Sequence, residues 1–72
     1  MGCISPLALL SGLALRVERE GYVPTTADLR ALLGLGLSKE EVRAAFVARA
    51  ATRTDETFAR AIAVLEEIPP AP

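Results

Sequence analysis

The stretch LRALLGLGLSKEEVRAAF, Leu29 to Phe46, restricts the fold more than any other part of the chain. On one side of the Gly34-Leu35-Gly36 break, Leu29, Leu32 and Leu33 recur at helical spacing; on the other, Val42, Ala45 and Phe46 do the same. Between them, Ser38 and Glu41 stand at the spacing of a capping box, in which each side chain satisfies the other's otherwise orphaned backbone N–H. The stretch therefore reads as helix, tight glycine turn, helix. Gly36 is the residue that permits a left-handed backbone at the turn.

The same punctuation recurs elsewhere. Ser5-Pro6 opens a first helix, with serine as cap and proline at a position whose N–H is not needed. Leu7, Leu10, Leu13, Ala14 and Val17 form its apolar stripe, while Leu9 and Leu15 fall off it, so this helix is apolar on more than one side. Gly21 ends it. After the extended link Tyr22-Val23-Pro24, Thr25 and Asp28 cap a second helix. Thr54-Asp55-Glu56 is expected to open the fourth with acidic residues in its first turn, followed by the stripe Phe58, Ala61, Ile62, Leu65, Ile68 and a stop at Pro69-Pro70. No segment alternates with period two. The expectation is one all-α domain over residues 1–72, with helices at about 6–20, 26–33, 39–51 and 55–68 and a tail at 69–72.

Bulk properties narrow the chemistry. With 72 residues, a domain buries only about 60% of its unfolded surface. Yet 51% of the residues are hydrophobic, and the mean hydropathy is +0.36. Some apolar surface is expected to need a partner, and a homo-oligomer through the leucine-rich first helix, whose Ser11 and Gly12 make a smooth side, is the simplest form. Cys3 is the only cysteine and there is no histidine, so neither a disulfide, a structural zinc site nor the commonest general base is at hand. The carboxylates sit at helix starts (Asp28, Glu40, Glu41, Asp55, Glu56) or late in helices (Glu18, Glu20, Glu66, Glu67), where the helix dipole and solvent account for them. No enzyme, no cofactor and a reducing, cytoplasmic compartment are expected. The first helix is too short to span a membrane. Met1-Gly2-Cys3 resembles a dual-acylation start, but Pro6 stands where that pattern has Ser or Thr, and a frayed terminus is the other reading.

Two families share motifs with the central stretch. The pattern L-x-x-L-x-x-L-G-L-S-x-E-E-x-x-x-A-F, with DETFARAIAVLEEIP after it, resembles the ubiquitin-associated (UBA-like) fold over Asp28 to about Pro69. Leu35-Gly36-Leu37 stands at that family's helix-joining turn. The span from Phe46 to Ala61-Ile62 is about a turn longer than in ubiquitin binders, and is more like the C-terminal domain of the Holliday-junction branch-migration subunit, which binds a partner protein. The resemblance implies a UBA-like trio preceded by the leucine-rich helix, and a protein-binding module with Leu35, Gly36, Leu37 and Val64 as contact residues.

EREGYVPTTADLRALLGL, Glu18 to Leu35, resembles the start of the LexA-type helix-turn-helix. Here GLGLS is two residues longer than that family's turn, no wing hairpin follows, and Glu40 and Glu41 lead the helix that would enter the groove, where carboxylates are disfavoured except opposite cytosine. Under this alternative Lys39, Arg43, Arg49 and Arg53 are the candidate nucleic-acid contacts. The net charge of −1 lacks the basic excess such binders carry. Arg49 and Arg53 also fall on the inward side of the third helix near its C-terminal end, where a structural role competes.

Overall fold

Capping side chains set the helix starts. In the computed structural model, which describes residues 5–69, four helices follow one another: α1 (Pro6–Glu20), α2 (Thr26–Gly34), α3 (Lys39–Ala50) and α4 (Thr57–Glu67). There is no strand among the described residues, and the chain is an all-α four-helix domain. The Ser5 hydroxyl accepts from Ala8 N at 3.1 Å, with Pro6 in the first turn. Thr25 and Asp28 form a reciprocal capping box at 3.2 and 3.1 Å, and Ser38 and Glu41 form another at 3.1 and 3.0 Å. Gly21 closes α1 in the left-handed region at φ +68°, donating its N–H to Val17 O.

Four boundaries differ from the sequence expectation. Helix α2 runs on to Gly34, and Leu35 N and Gly36 N then close the end on Leu32 O and Leu33 O. Helix α3 stops at Ala50, where the Thr52 hydroxyl bonds Arg49 O at 2.6 Å. Helix α4 begins at Thr57, two residues late, and has no acid in its first turn. The reason lies in Asp55. Its carboxylate is drawn to the Arg53 guanidinium, and its Oδ1 also accepts Thr57 N–H at 3.1 Å, so it caps the helix from outside. Ile68 lies just past the end of α4, with extended ψ. Gly2, Cys3 and the tail from Pro70 to Pro72 lie outside the described residues, as do the acylation motif and the second half of the Pro69-Pro70 stop.

The core draws on every helix. Phe46, Leu29, Leu65, Val17 and Val42 are fully enclosed. Each such side chain contributes roughly 1.5–3 kcal/mol relative to exposure. Phe46 and Phe58 meet as tilted rings with centroids 6.3 Å apart. Leu10, Ala14 and Val17 from α1 are integral to this cluster. Leu7 is the exception to the α1 stripe: it is 59% exposed, whereas Leu10, one turn on, is buried.

Helix α3 packs closely against both α1 and α4, whereas α2 rests on α1 and α4 and meets α3 chiefly through the connecting turn. Lys39 at the start of α3 donates to Ile68 O past the end of α4, and Arg43 pairs with Glu66 at 3.2 Å, so α3 and α4 run antiparallel. Glu18 and Arg49, both near C-terminal ends, pair at 2.7 Å, so α1 and α3 finish together. The domain thus has two ends. One gathers the last turns of α1 and α3; the other holds the glycine turn, the start of α3 and the end of α4.

Candidate functional site

The glycine turn separates two leucines that are two residues apart. Gly36 takes φ +105°, a conformation that costs a side-chain-bearing residue roughly 1–3 kcal/mol. Nothing lies within 4 Å of where a Cβ would stand on it, so backbone conformation alone demands glycine here. The turn drops Leu37 into the core at 8% exposure and leaves Leu35 outside at 50%. Of the four residues singled out as protein contacts, Leu35 and Gly36 are exposed, Leu37 is core, and Val64 is half-buried against the core. Val64 lies one helical turn before Ile68, and the Lys39 bond to Ile68 O brings that end of α4 to the start of α3.

The four candidate nucleic-acid contacts are all engaged within the chain. Lys39 holds Ile68 O, and Arg43 holds Glu66. Arg49 and Arg53 are half-buried, and both converge on Glu18, whose side chain is only 20% exposed. Arg49 Nη1 meets the Glu18 carboxylate at 2.7 Å, while Arg53 Nη1 donates to the Glu18 carbonyl at 3.0 Å and holds Asp55 with its other nitrogens. The Arg53 guanidinium also lies over Gly21, 3.0 Å from where a Cβ would be. One arginine thereby ties the end of α1 to the connection between α3 and α4.

Electrostatics at this end follow the contacts. The Thr52 hydroxyl beside Glu18, and then the Arg49 guanidinium, hold the Glu18 carboxyl below its ordinary value. Arg53, and then Thr57, hold Asp55 well below the carboxylate range. At the start of α2, the Tyr22 hydroxyl donates to Asp28, which lowers the Asp28 carboxyl and raises the phenol. The Arg16 guanidinium stacks 4.1 Å from the Tyr22 ring centre. Glu18 is the residue that sequence reasoning assigned to solvent and the structure places at the centre of a network. Its partner is 31 positions away, so no local pattern marks it.

Among the described residues no three acidic or cysteine side chains gather as a metal site, and no helix is long and apolar enough to cross a membrane. A shallow polar depression at the start of α4, lined by Asp55, Glu56, Thr57 and Arg60, is crossed by the Glu56–Arg60 pair at 3.7 Å. No family model, no curated protein and no solved structure matches this chain.

Proposed function

We propose that this chain is a non-enzymatic protein-interaction module whose contact surface is centred on the Leu35-Gly36 corner. The carrying observation is a leucine left 50% exposed at a turn whose other leucine is buried. A turn needed only for chain reversal has no use for that side chain, whereas a partner's apolar pocket does. The UBA-like resemblance of Asp28 to Pro69 supports the same reading, as it assigns the contact to the same turn, with Val64 at the rim. The intramolecular partners of Lys39, Arg43, Arg49 and Arg53 support protein rather than nucleic acid, because each cation already satisfies a carboxylate or carbonyl of this chain and would have to leave it to meet a phosphate. A cytoplasmic location belongs to this reading. So does self-association through α1, supported by Leu7 and Leu9 at 59% and 40% exposure.

The test compares immobilised wild type and Leu35→Asp as baits, after circular dichroism shows equal helicity. Proteins retained by the wild type and lost with Leu35→Asp are expected. Retention of the same proteins by both would overturn the corner as contact surface. Binding abolished by nuclease treatment would move the helix-turn-helix alternative ahead.

A further inference from the structure

Two helix faces in this domain are exposed but for half-buried Leu15, nearly free of charge, and built to the same measure. On α1 the outer face carries Ala8, Ser11, Gly12 and Leu15, and ends in Arg19. On α3 it begins with Glu40 and continues through Ala44, Val47 and Ala48 to Ala51, the residue just past the helix end. Each covers about 100° of arc at 3.6 residues per turn. A solvent face of a surface helix ordinarily carries charge along its length, and these carry it only at one end. Val47 alone leaves 57% of its surface to solvent.

The two faces are mirror images in spacing. Laid antiparallel, Arg19 meets Glu40, Leu15 meets Ala44, and Gly12 meets Val47, with small residues opposed beyond. The sizes are complementary: the large side chain of each pair faces a small one. Gly12 has nothing within 4 Å of where its Cβ would be, so its place is open to the Val47 side chain. The charges are complementary too. Neither Arg19 nor Glu40 makes an ion pair among the described residues, while Arg16, Arg43, Arg49, Arg53 and Arg60 all do.

We propose that the occupant of each face is a second copy of this chain, with α1 of one copy packed antiparallel on α3 of the other and Arg19 paired with Glu40. This deepens the self-association reading, and is independent of the Leu35 corner. One such seam is a strip about 18 Å long and about 10 Å wide on each helix. That is well short of the roughly 1,200 Å² of a stable interface. In the proposed dimer a two-fold axis repeats the seam, and the helix directions allow it, because α1 and α3 finish together in each copy. The dimer is accordingly weak and concentration-dependent.

Sedimentation equilibrium from about 10 μM to about 1 mM tests this, on wild type, Arg19→Glu, Glu40→Arg and the double variant, with helicity checked for each. A reversible wild-type dimer is expected. Each single reversal should raise its Kd about three- to tenfold by setting like charges together, and the double variant should return it to near the wild-type value. A wild type that is monomeric throughout overturns both the pairing and self-association. A dimer indifferent to both reversals overturns this pairing while self-association stands. Val47→Glu gives a second reading at the middle of the seam, where a dimer of unchanged strength would also contradict the proposal.

Discussion

The two ends of the domain handle their awkward side chains in opposite ways. At the end where α1 and α3 finish together, Arg49 on α3 and Arg53 in the connection after it find Glu18, its carbonyl and Asp55. Among the described residues, no buried side-chain polar atom is left without a partner. At the other end a glycine turn leaves a leucine in solvent when a serine or lysine would serve. The first end uses polar chemistry to finish the fold. The second keeps apolar surface that the fold does not use, and this is why the proposed contact lies there.

The sharpest way to break this contrast is to treat the two leucines alike. Leu37→Ala removes a core side chain and should cost about 2–5 kcal/mol in urea unfolding. A 72-residue domain has only about 4–11 kcal/mol in all. Leu35→Ala should stay within about 0.5 kcal/mol, as a surface substitution away from special geometry does. Equal effects would mean that Leu35 is core and the corner is not available. Next in size is Gly36→Ala. With open space around it, the cost is that of a left-handed backbone, about 1–3 kcal/mol, and Gly34→Ala, helical and equally unobstructed, should not lower stability at all.

The closed end is probed through pH. Glu18, Asp28 and Asp55 are all held below their ordinary values in the fold. Their contribution is therefore complete above their unfolded values near 4 and is lost as pH falls through the depressed folded values. Thermal unfolding should show a stability plateau from pH 7 to about pH 5 and a decline below about pH 4. Glu18→Gln and Asp55→Asn should each lower the plateau and flatten the decline. The smallest effect belongs to the exposed Glu56–Arg60 pair, where Arg60→Ala should change stability hardly at all.

The reach of sequence reasoning follows the range of the interactions. The capping boxes at Thr25–Asp28 and Ser38–Glu41, the Ser5-Pro6 start and the Gly21 stop are built within a few residues, and their chemistry is visible in the letters. The stripes of α2 and α4 were equally legible, because burial on one face follows from periodicity. What could not be read depends on another element. The periodicity places Leu7 on the core side, but whether anything covers it depends on where the neighbouring helices end. Asp55 stands outside α4 because Arg53 and Thr57 share its carboxylate, an arrangement that competes with a first-turn position. The helical wheel puts Arg49 and Arg53 on one inward face of the third helix, but α3 ends at Ala50, Arg53 lies in the connection after it, and the acceptor both share, Glu18, lies on a different helix. At the turn, the resemblance names both Leu35 and Leu37 as contacts, and nothing local in the letters shows that only Leu37 is buried, which follows from how the Gly36 turn and the Ser38 cap lead the chain into α3.

The central claim is that this chain's cations serve its own fold and that its partner surface is apolar. Fluorescence anisotropy of a labelled random DNA duplex, titrated with the protein across a salt series, tests it most directly. No rise in anisotropy is expected even at low salt, with Arg43→Ala indistinguishable from wild type. Binding that weakens log-linearly with salt, with a slope reduced by Arg43→Ala or Lys39→Ala, would contradict it and assign those residues to phosphate.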